Sequence, residues 1–179
     1  MHKLRPLAKV LSANANTSGF TAKTALATTR PSSNILDLGQ YSSGGVLPCA
    51  IILYPYGLGS DNNVFSLRVW GWNRYLGQEL WVPHQLAELS CTLSSFAGVA
   101  GQAVLNTELF CDTISIVATV GEPTTTANTT RDGTVELYSP ANNQPAWAKI
   151  NTYGAEILEF DFDQTTGTPT MNALYKLIG

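Results

Sequence analysis

From Ile35 onward, short apolar-rich runs alternate with clusters of Gly, Pro, Asn and Asp. Leu158, Phe160 and Phe162 fall on one parity and Glu159, Asp161 and Asp163 on the other, the period-two pattern of a strand with one buried face. Phe65, Leu67 and Val69 alternate with Ser66 and Arg68, and Ile114, Ile116, Ala118 and Val120 share one side of a later run. The pattern predicts eight strands, over 35–38, 49–54, 64–75, 79–93, 113–120, 134–137, 145–151 and 155–163. One helical signal competes, Gln85 to Leu93 after Pro83, but it runs into the β-favouring Cys91 and Thr92 and is assigned to a strand.

Between these runs, Leu58 to Asn63 reads as a Gly-Ser-Asp-Asn turn, 76–78 as a short Gly-containing turn and 139–144 as a Pro-Asn loop. The Thr-rich stretch 122–133 has nothing to pack and is expected as an exposed loop, and the small residues of 94–101 as a loop moulded to a surface. Eight antiparallel strands with uneven loops fit a two-sheet jelly roll better than a closed meander, and no fixed period suggests a propeller or solenoid. The expected fold class is all-β, an antiparallel jelly-roll sandwich over residues 35–179, preceded by an extended N-terminal arm over 1–34.

The arm is set apart by its periodicity and its charge. Its apolar residues, among them Leu7, Leu11 and Phe20, are scattered without a 3.6-residue stripe. Lys3, Arg5, Lys9, Lys23 and Arg30 give residues 1–36 a charge of +5 with no acid, while the remaining five basic and thirteen acidic residues give −8. The net charge of −3 thus conceals a polarised chain, a basic arm on an acidic body. Ordering about 30 residues opposes folding by about 1–2 kcal/mol each, far more than five surface ion pairs at about 0–1 kcal/mol return. Such an arm is either disordered when free or ordered by burying its apolar anchors and lending its backbone to another sheet.

Composition narrows the classes further. At 179 residues the chain suits one domain with an appendage, and its charged fraction of 13% is about half the usual share. No apolar run reaches the roughly 18 residues that span a bilayer, and no signal-peptide core is present, so a soluble protein not secreted by that route is expected. Cys49, Cys91 and Cys111 form no CxxC pair and read as buried free thiols.

Candidate chemistry is sparse. Trp70, Trp72 and Trp81 lie within twelve residues, with Tyr75 between, and Trp70 and Trp72 sit opposite Phe65, Leu67 and Val69 on their strand. Such a second apolar face fits a subunit interface, packing within the same chain, or stacking on a glycan; the interface, built from Trp70, Trp72, Tyr75 and Trp81, is favoured. Glu156, Glu159, Asp161 and Asp163 raise the question of calcium, but strand spacing of about 6–7 Å between alternate side chains and the lack of a DxDxDG loop favour a solvated face, or an acidic surface that a neighbour's arm meets. His2 and His84 accompany no nucleophile elbow, so His84 reads as structural; no P-loop or GxGxxG is present. With an acidic body and dispersed arm charges, nucleic acid is not an expected partner.

The segments Leu86 to Leu93 (LAELSCTL), Phe96 to Val104 (FAGVAGQAV), Phe110 to Val120 (FCDTISIVATV), Gly154 to Asp163 (GAEILEFDFD) and Asn172 to Tyr175 (NALY), after an Ala/Thr/Ser-rich basic start, together resemble the capsid decoration, or cement, proteins of tailed bacteriophages. The resemblance implies a trimeric jelly-roll knob on the outer capsid shell, with an arm running along capsomer boundaries. It implies the major capsid protein and further copies of this chain, as a homotrimer, as partners, and a place on the virion after synthesis in the host cytoplasm. On this expectation Lys3, Arg5, Leu7, Lys9, Leu11, Phe20, Lys23 and Arg30 contact the capsid. No catalytic residue, metal, cofactor, small-molecule substrate or membrane is expected. Two other classes fit the residues: a receptor- or glycan-binding fibre-head module, and a single-jelly-roll coat protein whose basic arm faces the genome.

Overall fold

The computed structural model describes residues 5–6, 23, 26–32, 34–42, 44–75, 80–95, 108–119, 135–138, 144–167 and 170–179. They form β1 (Arg5–Pro6), β2 (Ile35–Asp37), a 3-10 turn (Leu38–Tyr41), β3 (Ala50–Leu58), β4 (Val64–Tyr75), β5 (Leu80–Ser94), β6 (Glu108–Thr119), β7 (Val135–Tyr138), β8 (Trp147–Asn151), β9 (Ile157–Thr166) and β10 (Thr170–Ile178). The fold is all-β and antiparallel, one ten-stranded sheet in the order β1-β10-β3-β6-β5-β4-β9-β2, with β8 beside β3 and β7 beside β8. The sheet does not close, since β1 and β2 end the path. Met171 and Ala173 of β10 nevertheless share one buried cluster with Phe160 of β9 and Leu36 of β2. The two ends of the path therefore curl over a common core.

Two strands exceed the eight expected. In β10, Met171, Ala173 and Tyr175 are buried, but Leu174 and Ile178 on the opposite parity are also apolar, which erases the alternation. The pairing of β1 rests on only two residues, Arg5 opposite Tyr175 and Pro6 opposite Leu174. Expected boundaries also shift. The run expected to end at Tyr54 continues through Pro55 to Leu58 because β3 forks there: Ala50 to Leu53 pair with β8, and Tyr56 to Leu58 pair with β6 on the same side. Pro55 sits at the gap between those two ladders, where a missing N–H breaks neither. β6 starts at Glu108, ahead of the expected 113.

The longest hairpin, β4 with β5, carries one irregularity. Val69 pairs with Ala87 and Trp70 with Gln85, leaving Leu86 as an extra residue on β5. Leu86 and Ala87 are both fully buried. The bulge thus turns two consecutive side chains inward, which a strict alternation cannot.

The expected turn after β3 forms. Asp61 accepts hydrogen bonds from the Ser95 backbone N–H and from Ser95 Oγ at 2.6 Å, and these hold its carboxyl below the usual range. Between β8 and β9, Tyr153 (φ 48°) and Gly154 (φ 71°) both take left-handed backbone, and Ala155 N donates to Thr152 O at 2.9 Å. Positive φ at both central residues is the geometry of a type I′ turn. Thr152 is the buried polar residue of this corner, its Oγ1 donating to Pro48 O at 2.6 Å. The expected loops 76–78 and 122–133, and 139–143 of the Pro-Asn loop, lie outside the described residues, as does 96–101.

The cysteines divide. Cys91 and Cys111 are buried free thiols as expected, whereas Cys49 is exposed, because it precedes β3 at the sheet margin. Burial, together with a hydrogen bond to Cys91, raises the Cys111 thiol well above its ordinary value. A thiol reagent should therefore titrate one group in the native protein and three after denaturation. Rapid modification of Cys91 or Cys111 under native conditions would contradict this packing.

Candidate functional site

The second face of β4 and β9, away from the core, holds the aromatic cluster that the sequence singles out. Trp70 pairs across the ladder with Glu159 and Trp72 with Ile157, so two runs of alternating residues lie side by side. Trp70 Nε1 donates to Asp161 Oδ2 at 3.0 Å, and Trp72 Nε1 donates to Glu159 Oε2 at 2.7 Å. The other carboxylate oxygens face one cation: Lys23 Nζ lies 2.6 Å from Glu159 Oε1 and 3.5 Å from Asp161 Oδ1. Arg68 extends the row, its guanidinium 5.8 Å from the Trp70 ring centroid and 2.7 Å from Glu88 Oε2.

The cover over this face comes from the same chain. Ala27 and Trp81 exchange two backbone hydrogen bonds, at 3.0 and 2.8 Å. Ala27, Ile35 and Trp81 pack on the small cluster of Trp70, Trp72 and Ile157. Arg30 pairs with Asp37, whose Oδ1 also caps the 3-10 turn by accepting from Gly39 N at 2.9 Å. Lys23, residues 26–32 and residues 34–35 thus form a strap over the tryptophans, held by apolar contact, a backbone bridge and two ion-paired residues.

Several expectations change accordingly. Lys23 and Arg30, expected to meet a capsid, are spent on Glu159, Asp161 and Asp37 of their own chain. Trp70 and Trp72, expected at an oligomer interface, are each only 5% exposed and pack within the chain beneath the strap. Trp81 is half-buried under Ala27, while Tyr75 is 54% exposed. Glu159 and Asp161 are acceptors for buried indoles rather than members of a solvated row. Lys3, Leu7, Lys9, Leu11 and Phe20 lie outside the described residues; for Arg5 the structure gives the backbone pairing to Tyr175. The signal that could have revealed the indole–carboxylate ladder is the matched two-residue spacing of Trp70/Trp72 and Glu159/Asp161.

His84 lies on the other side of the sheet, away from these carboxylates. It pairs with Gly71, where a Cβ would come within 2.6 Å of the imidazole Nε2 and 3.1 Å of Ala155 Cβ. Glycine at 71 makes room for the ring, which supports the structural reading of His84. Burial holds the imidazole below its ordinary 6.5. The unfolded chain then binds a proton that the folded chain refuses, so this contribution is complete above about pH 6.5 and falls as the pH drops toward the folded-state pKa. Urea midpoints should decline between about pH 7 and pH 5, and His84→Gln should flatten that decline. An unchanged slope in the variant would rule His84 out as its source.

Among the described residues, no group of three or more His, Cys, Asp or Glu side chains could hold a metal ion. The site is a closed packing and charge junction, suited to fixing a segment in place. Comparison with known protein families, with curated proteins and with solved structures found no match to this chain.

Proposed function

We propose that this chain is a structural virion protein that binds the outer surface of a tailed-phage capsid and stabilises the shell by bridging capsomers, its copies associating as a trimer. The observation that carries this reading is the division of charge, +5 over residues 1–36 against −8 beyond. Lys23 and Arg30 are engaged by the body and the Arg5 backbone lies in β1, so we assign Lys3 and Lys9 to an acidic capsid surface, and Leu7, Leu11 and Phe20 to grooves between capsomers. The strap supports such a role mechanically. It ties the root of the arm to the sheet, so that tension on the arm is passed to a folded body. Many copies, each joining two capsomers, add contacts that must break before the shell does, and this needs no catalysis.

We infer further that the body is a jelly roll. The pairing of β3 with β10 and of β4 with β9 nests early strands against late ones, as rolling up a long antiparallel ribbon does. The β5–β6 and β7–β8 pairs are simple neighbours within that roll. Deleting residues 1–22 should abolish co-sedimentation with expanded capsids, and added salt should release the full chain. Undiminished attachment of the deletion variant would refute the reading.

A further inference from the structure

The outer face at the other end of the sheet path differs from the strapped one. Cross-strand pairing places Ile52 opposite Lys149 and Lys176, Tyr54 opposite Leu174, and Tyr138 opposite Trp147, on the parity opposite to the core residues Ile51, Leu53, Ala148 and Ala173, while Ala50 and Tyr56 of that same outer parity are buried. Ile52, Tyr54, Trp147, Leu174 and Ile178 are half-buried yet pack against neither buried cluster, and Tyr138 is 45% exposed. The Tyr138 and Trp147 rings stack at 5.3 Å and extend the apolar surface to the free side of β7. Lys149 pairs with Glu136 at 2.7 Å, and Lys176 flanks Ile52 across the β3–β10 ladder.

We propose that this face of β10, β3, β8 and β7 is where a second copy of this chain docks. Two observations select that occupant. The chain buries the outer face of Trp70 and Trp72 with its own strap, whereas Tyr138 at the β7 margin of this one is 45% exposed. Its size also fits. Four strands about 4.8 Å apart and about 3.3 Å per residue give a face of roughly 400–500 Å², so two copies together bury on the order of 1,000 Å², the lower bound of a specific interface. A surface whose centre is largely apolar suits association between like copies. The inference rests on the self-association in the proposed function and moves its interface from the tryptophan hairpin to this face.

The test is native mass spectrometry and sedimentation equilibrium on the full chain. Leu174→Glu and, separately, Ile52→Lys should weaken self-association by at least about 30-fold, the effect of losing a central hot spot, with the circular dichroism melt retained. Leu26→Glu, on the strap side, should leave association unchanged. The inference is overturned by a monomeric wild type, by an oligomer insensitive to both changes, or by association lost in the Leu26 variant alone. It is overturned equally if the full chain is monomeric and deletion of residues 1–22 newly exposes the face to a hydrophobic dye, which would make the arm its cover, or if a monomer binds glycans through Trp147. Capsid co-sedimentation is read independently: a chain that self-associates through this face but does not bind capsids upholds the inference and removes the capsid reading.

Discussion

Phe65→Ala is expected to destabilise the protein by about 3–5 kcal/mol, the usual range for removing a fully buried aromatic ring. Phe65 has no exposed surface and lies in β4, flanked by Cys91 of β5 and Gln164 of β9, with the Phe162 ring centroid 6.0 Å away. The neighbours are held in two ladders and cannot collapse into the space. Domains of this class have about 5–15 kcal/mol in total, so the variant should lose about a fifth or more of its stability. Urea unfolding followed by tryptophan fluorescence measures it. A loss below about 1 kcal/mol would mean that the sheet does not curl tightly over this position.

Glu159→Leu should be the most damaging single change at the strap. It leaves the Trp72 indole N–H, beneath the strap, without its acceptor, and Lys23 with only Asp161 at 3.5 Å. An orphaned buried donor costs about 1–3 kcal/mol, and the lost ion pair adds about 0–1 kcal/mol for groups that still meet solvent. Glu159→Gln keeps an acceptor for the indole and should cost much less. Tryptic cleavage after Lys23 should accelerate in the Leu variant, because the strap loses its charged anchor while the core cluster is untouched. If the Gln and Leu variants unfold alike, the indole bond has no energetic weight and apolar contact alone holds the strap.

The two faces of β9 show how far residue order carries. That Leu158, Phe160 and Phe162 face the core follows from parity, and they do. What Glu159 and Asp161 do on the other face does not follow, because a carboxylate row looks the same whether water, a metal or an indole meets it. The partners, Trp70 and Trp72, are 87 to 91 positions away and become neighbours only through the β4–β9 ladder. Similarly, Pro55 reads locally as a strand end, and only the fork of β3 makes it harmless.

The arm marks the same boundary between local and distant information. Its charge excess and its lack of a helical stripe are properties of composition and spacing, legible along the chain. Whether Lys23 and Arg30 point outward or inward depends on which acids the fold brings near, and it brings Glu159, Asp161 and Asp37. Strand identity, core parity and charge polarity were thus set by side chains within a few residues of each other. The strap, the fork and the outer face of β10, β3, β8 and β7 were decided by tertiary structure, because each is a relation between ladders whose register no short stretch of sequence contains.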